Sequence, residues 1–186
     1  TLFNRQIIAD IDINPQKIYY YELDGRSYSN SFQAEVKYFL LENLELTGAY
    51  RINDVKVTTD GKLQQKPFTS KYKGLISASY ATQNHHWKFD LTAQFNGPGR
   101  IPSTSSNPDH YQRPESFEAY TLMFAQVTRS FKRFDLYIGS ENLTGYTQKH
   151  PVIASEDPFG PYFDASMIWG PLSGKMFYAG FRYKLF

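Results

Sequence analysis

The last twelve residues, Lys175 to Phe186, read KMFYAGFRYKLF, and their alternation decides the fold. Phe177, Ala179, Phe181, Tyr183 and Leu185 share one parity; Met176, Tyr178, Gly180, Arg182 and Lys184 share the other. Successive side chains of a strand point to opposite faces, so an apolar wall backs onto a mostly polar one. In a water-soluble sheet that apolar wall needs a second layer to cover it. A strand of about ten residues ringed with aromatics equally suits a membrane β-barrel. Lipid satisfies no open strand edge, so a strand in that setting must be paired along both sides. The rest of the chain is therefore read for further strands of this kind.

The 186 residues are enough for one domain with a sizeable core. Aromatics reach 17%, with 15 Tyr and 15 Phe, a load that favours strands. Net charge is only +2, which gives nucleic acid no electrostatic hold. No apolar run is long enough for a transmembrane helix, but barrel strands alternate and average to a polar hydropathy. Cysteine is absent, so disulfide frameworks and thiol catalysis drop out. No signal peptide is visible, and a start at Thr1 rather than Met is expected of a mature or cut product.

Taken in order, the alternation predicts eight strands. The first runs from Asn4 to Ile13 and is broken by Asn14-Pro15; Lys17 to Arg26 is a loop or strand extension with a turn at Asp24-Gly25. Ser27 to Phe39 alternates cleanly, and after a turn at Leu41-Glu42-Asn43 the strand from Leu44 to Ile52 follows. The phase then shifts to Val55 and Val57, which predicts a bulge. Asp60 to Ser70 reads as a polar loop, and Lys71 to Ala81 as a strand. Trp87, Phe89, Leu91, Ala93 and Phe95 then oppose Lys88, Asp90, Thr92, Gln94 and Asn96 without a fault. A long loop from Gly97 to Phe117 precedes the strand Ala119–Ser130, whose pattern is blurred by Leu122, Met123, Phe124 and Ala125. Phe134 to Gly139 is the seventh strand, Asn142 to Gly174 another long loop, and the terminal stretch the eighth strand.

Connections after the second, fourth and sixth strands are short; those after the others are long. Long and short links thus fall at opposite ends of the sheet, the outer-membrane pattern of short periplasmic turns and long extracellular loops. Ten residues at about 3.3 Å each, tilted near 45°, rise about 23 Å, close to the apolar band of such barrels. The expected fold class is all-β, an antiparallel transmembrane β-barrel segment with Trp87, Phe89, Leu91 and Phe95 facing lipid. A soluble antiparallel sandwich, such as a carbohydrate-binding one, also alternates. A complete eight-stranded barrel with a structural or adhesive role would require the first strand to pair with the last.

Particular residues carry a family resemblance. The run Ile138-Gly139-Ser140-Glu141-Asn142-Leu143-Thr144, with Tyr146-Thr147-Gln148, resembles the motif entering the last strand pair of TonB-dependent outer-membrane receptors. So do Trp169-Gly170-Pro171, Gly174-Lys175 and Tyr178-Ala179-Gly180-Phe181-Arg182-Tyr183. Leu23 to Phe32 and Ala49 to Lys56 look like the receptors of Bacteroidetes-type bacteria. The resemblance covers nearly the whole chain. It implies that residues 1–186 are the C-terminal part of a roughly 22-stranded barrel with a plug in its lumen, placed in the bacterial outer membrane. It also implies energy-coupled import of a scarce ligand: siderophore, cobalamin, glycan or peptide. The implied partners are the lipid bilayer, the TonB complex through an N-terminal region outside this chain, the imported ligand and a surface lipoprotein. The terminal strand, with Phe177, Phe181, Tyr183 and either Leu185 or Phe186 as its closing signal, is the implied assembly element.

No catalytic or metal-binding constellation stands out, so neither enzyme activity nor a cofactor is expected. His85-His86 sits in a short turn where adjacent side chains point apart; His110 and His150 fall in loops near Asp109 and Glu156. Asn142-Leu143-Thr144 matches a glycosylation acceptor, but on a bacterial reading it is structural. Glu35, Asp90 and Asp135 fall on inward faces with Lys37, Lys88 and Arg51, as lumen-lining ion pairs. Tyr111, Tyr146, Phe159, Tyr162 and Trp169 lie in the long loops, where large rings either cap a ligand or pack the loops on one another. Tyr111, Tyr146, Phe159 and Trp169 are taken as the ligand-binding candidates.

Overall fold

Alternating β-branched and aromatic residues bounded by Asn, Gly and charged turns produce long antiparallel strands throughout the chain. A computed structural model describes residues 1–3, 7–10, 17–22, 25–59 and 61–185. The strands are β1 (Leu2–Phe3), β2 (Ile7–Asp10), β3 (Tyr19–Glu22), β4 (Ser27–Leu41), β5 (Leu44–Thr59), β6 (Lys62–Gln65), β7 (Tyr72–Ala81), β8 (Trp87–Asn96), β9 (Gly99–Arg100), β10 (Ser116–Phe117), β11 (Tyr120–Ser130), β12 (Phe134–Glu141) and β13 (Met176–Tyr183). One sheet runs in the order β1-β4-β5-β7-β8-β11-β12-β13, with β6 added to β5. Every pairing in it is antiparallel. Among the described residues the two edge strands, β1 and β13, do not pair, so the sheet is an open length of barrel wall rather than a closed small barrel.

The register places Phe32, Ile52 and Tyr72 in one cross-strand row, and Tyr38, Leu46, Ala78, Leu91, Ala125, Ser140 and Phe177 in another. This face carries most of the large apolar groups of the sheet. None of the described residues covers it: Phe32, Val36, Ile76 and Phe177 are 68%, 67%, 59% and 72% exposed. A soluble sandwich would bury these groups under a second sheet, and the described residues supply none. An apolar surface this extensive marks contact with lipid or another chain. The buried apolar cluster lies instead in the long links, where Ile153, Ala154 and Met167 pack with Phe68 and Tyr111.

The opposite face is polar and hydrogen-bonded. The Ser79 hydroxyl donates to Asp90 at 2.7 Å, Lys88 pairs with Asp90 at 2.9 Å, and Ser77 bonds Thr92 at 2.9 Å. Leu122 and Phe124 share this inner face with Gln126, while Met123 and Ala125 point outward, which explains the blurred pattern of β11. On β12 and β13, two tyrosines lie over two glycines. The Tyr178 ring covers Gly139 and the Tyr137 ring covers Gly180, so a Cβ at either glycine would enter a ring. The two rings meet edge to face at 6.3 Å, and the Tyr178 hydroxyl donates to Gln126 at 3.0 Å.

Several expectations are revised. Of the strand expected over Asn4–Ile13, the described part is not in the main sheet. Within its described part, Ile7–Asp10 pairs with Tyr19–Glu22 in a separate hairpin, and Leu2–Phe3 takes the place beside β4. Residues 4–6, 11–16, 23, 24, 60 and 186 lie outside the described residues, including part of that strand, Asp24 of the turn and Phe186. No bulge occurs at Asn53–Val55. The β4–β5 ladder runs unbroken from Tyr28↔Lys56 to Phe39↔Glu45, with its one irregularity between Phe39 and Leu41. The pattern changes there because β5 leaves the apolar band: Val55 and Val57 are half-buried on the inner parity while Asp54 and Lys56 take the outer one. The loop expected at Asp60–Ser70 contains β6, which folds back on β5 around Gly61, at a φ of 69° that suits glycine. The last strand ends at Tyr183, with Leu185 80% exposed beyond it. Two of the expected ion pairs change partners, because long cations also reach carboxylates on the neighbouring strand. Lys37 reaches Glu45 at 2.8 Å, and Asp135 reaches Lys184 at 3.4 Å, while the Arg51 Nε donates to Asn53.

Candidate functional site

The three short turns between β4 and β5, β7 and β8, and β11 and β12 lie at one end of the wall; the long links lie at the other. The long links form one connected assembly. The Phe68 amide donates to the Arg100 carbonyl and Lys71 to Pro98, while the Arg100 Nε donates to the Gln65 carbonyl at 2.7 Å. The Ile153–Met167 cluster draws Phe68 from the β6–β7 link and Tyr111 from the β8–β11 link onto the β12–β13 link. A Tyr111 hydroxyl bond to the Glu156 carboxylate at 2.7 Å joins the last two. That bond holds the Glu156 carboxyl below its ordinary range, and the same carboxylate pushes the Tyr111 phenol up.

The β12–β13 link is organised by two amides. Asn142 is buried, and its Nδ2 donates to the carbonyls of Tyr146 at 2.7 Å and Ser173 at 3.0 Å. Its Oδ1 accepts from the Thr144 hydroxyl at 2.9 Å and the Tyr146 amide at 3.1 Å. With its side chain engaged in this way, Asn142 is a structural residue. Gln148 staples the returning segment: its Nε2 donates to the Met167 carbonyl, and its Oε1 accepts from the Trp169 and Gly170 amides.

Of the aromatic candidates, Tyr146 and Trp169 come together. Tyr146 stacks on Tyr120 with ring centres 4.7 Å apart, Phe117 stacks on Trp169 at 4.7 Å, and Tyr120 lies 5.8 Å from Trp169. Burial pushes the Tyr146 phenol up, with Tyr120 and Glu118 adding to the shift. Tyr111 belongs to a different group, with His110 at 3.9 Å and Tyr162 at 5.6 Å. Phe159 touches neither; it is fully exposed at the rim of an open concavity of about 480 Å³ lined by Pro158, Gly160, Phe163, Asp164 and Ser166. The Asp164 Oδ1 accepts the Ser166 amide, while its buried Oδ2 has no partner among the described residues. Sequence reasoning missed Phe117 and Tyr120. The strand parity that puts Tyr120 opposite Asn96 on the inner side is the signal that was available for it. Among the described residues no group of three or more His, Asp or Glu is placed to hold a metal. The arrangement can offer a ligand flat ring surfaces, a carboxylate oxygen and a polar inner wall.

Comparison with solved structures fixes the architecture. FpvA of P. aeruginosa, solved bound to heterologous pyoverdines, matches 96% of this chain with a TM-score of 0.63 at 15% identity. The siderophore receptor PiuA from Acinetobacter baumannii matches 86% with a TM-score of 0.58 at 14% identity. The fold is that of an open length of the barrel wall seen in these two structures. The chain spans only 23% and 22% of the length of those two chains. No family model and no curated protein matches the sequence.

Proposed function

We propose that the chain is the C-terminal part of the barrel of a TonB-dependent outer-membrane receptor of the Bacteroidetes type, which imports a scarce ligand. One observation carries this reading. The sheet presents an uncovered apolar face and a hydrogen-bonded polar face, with all its long links tied together at one end. On this reading the apolar face, with Trp87, Phe89, Leu91 and Phe95, meets lipid, and the polar face lines the lumen. The linked loops lie outside the cell, where Tyr111, Phe159 and the Tyr146–Trp169 stack stand over the entrance. The TonB complex acts through an N-terminal region beyond this chain, and a surface lipoprotein caps the loops. A ferric siderophore is the first ligand class to try, because FpvA binds pyoverdines and PiuA is a siderophore receptor by name. The test is uptake of a labelled ferric siderophore, cobalamin, glycan or peptide by cells making the full receptor, with and without TonB. Uptake of one of them that stops without TonB or under a protonophore is the expected result. Accumulation of none, or uptake indifferent to TonB, refutes the proposal.

A further inference from the structure

Along the outward parity of the seven long strands, charge is nearly absent. Asp54 and Lys56 lie on it, but beyond Ile52, where β5 has parted from β7 on the side of the long links. At the other end there is a single charge, Arg129 of β11, directly opposite Trp87 of β8 and Leu136 of β12. A guanidinium on an apolar wall is costly at mid-depth and cheap only near the interface. Arg129 sits one residue before the strand ends.

Its surroundings are built from rings. The guanidinium carbon lies 4.8 Å from the Trp87 ring centre and 5.5 Å from that of Phe131. Trp87 continues into a stack with Phe89 and Tyr80, and Phe131 stacks on Phe134 at 4.5 Å. Ring faces hold the cation in place but donate no acceptor, so the planar fork of N–H groups is left to find one. The Ser130 amide donates to the His86 carbonyl at 2.7 Å, which brings the turn carrying Lys132 and Arg133 against the turn of residues 82–86. Neither turn contains an acidic residue, and Lys132 and Arg133 are both exposed. Asp135, the nearest carboxylate in sequence, has inward parity and is paired with Lys184.

We infer that Arg129, flanked by Lys132 and Arg133 and seated on Trp87 and Phe131, binds the phosphate of an anionic glycerophospholipid in the turn-side leaflet. The chemistry is complementary: a planar donor fork at headgroup depth, further cations at the water edge, and an apolar wall for the acyl chains. The inference rests on the membrane reading above.

The experiment uses the full receptor, extracted from outer membranes in detergent and shown to be heat-modifiable. Native mass spectrometry then follows retention of phosphatidylglycerol against uncharged diacylglycerol. Wild type is expected to prefer phosphatidylglycerol, and Arg129→Gln to reduce its retention about ten-fold, the weight of one charge-assisted contact. Arg129→Lys should restore part of it, since charge returns without the fork. Lys132→Gln combined with Arg133→Gln leaves the strand untouched and should give a smaller loss. Equal retention by wild type, Arg129→Gln and the double variant overturns the assignment, as does displacement of the lipid by inorganic phosphate, which would make this a free-phosphate site. A receptor absent from the membrane fraction is a separate result, and it refutes the membrane reading itself.

Discussion

Replacing Asn142 with alanine should open the β12–β13 link while leaving the wall standing. The buried amide makes four hydrogen bonds, to the Tyr146 and Ser173 carbonyls, the Tyr146 amide and the Thr144 hydroxyl. Its φ of 50° adds a second demand, because asparagine tolerates the left-handed region and alanine does not. At a net value of about 1 kcal/mol per bond, with water replacing some of them, and about 1 kcal/mol of backbone strain, the loss comes to about 3–5 kcal/mol. That free energy corresponds to a population of the open link about 10²–10⁴-fold larger. Hydrogen exchange of peptides from residues 142–174 in the full-length protein measures it directly. Asn142→Gly removes the same bonds without the strain and should exchange about five-fold more slowly than the alanine variant. Asn142→Asp keeps the acceptor and turns a carboxylate toward two carbonyls, so it should protect the link no better than glycine. Unchanged protection in Asn142→Ala would refute the role given to this residue; identical behaviour of the alanine and glycine variants would refute the strain argument.

If the proposed membrane reading holds, Leu91→Arg should lower the heat-modifiable full-length protein in outer-membrane fractions, because a cation at mid-depth on a barrel's lipid face costs about 2–4 kcal/mol. Thr92→Arg, on the inner face against Phe124 and Ser77, should leave the amount near normal, and equal tolerance of both would refute the assignment of faces. The Glu156–Tyr111 contact has two pH limits. The lowered Glu156 carboxyl stabilises the contact above its ordinary value of 4.5 and loses that effect as pH falls through the folded value. The raised Tyr111 phenol stabilises it below 10.0 and loses that effect as pH rises through its folded value. Protease cleavage near residues 150–160 should therefore rise at acid pH in wild type, and Glu156→Gln should flatten that acid limb. Deleting Tyr183 to Phe186 removes the Phe134↔Tyr183 pairing at the end of the wall and should abolish surface assembly, which flow cytometry of whole cells reads.

The wall was legible because its strands cross one uniform apolar layer, so environment and parity coincide. Trp87 to Asn96 shows this best, with ten residues alternating without a fault and the strand bounded as its pattern says. Legibility failed where the environment changed along a strand. Val55 and Val57 switch phase because β5 runs past the apolar band, and a period-2 pattern cannot separate that from a bulge. Leu122 and Phe124 blurred β11 because the inner face is not uniformly polar. In the long links the sequence marked Tyr146 and Trp169 as aromatic, but their stacking on Tyr120 and Phe117 depends on contacts between links, which local spacing does not encode. The hairpin of Ile7–Asp10 with Tyr19–Glu22 escaped notice for a related reason. Its apolar residues resemble those of a wall strand, and only the pairing partner distinguishes the two.

The tyrosine–glycine interlock on β12 and β13 acts as a key that sets the alignment of β13. In the observed register Tyr178 meets Gly139 and Gly180 meets Tyr137. Sliding β13 by two residues keeps every side chain on its proper face, so hydrophobicity alone does not forbid it. That slide sets Tyr178 opposite Tyr137, two rings where space exists for one, or leaves both glycines without a ring to cover them. One alignment of the β12–β13 hairpin is therefore sterically complete while its parity-matched neighbours are not. The pairing of β12 with β13 is thereby decided by shape as well as by parity, and a misaligned hairpin carries its own steric penalty.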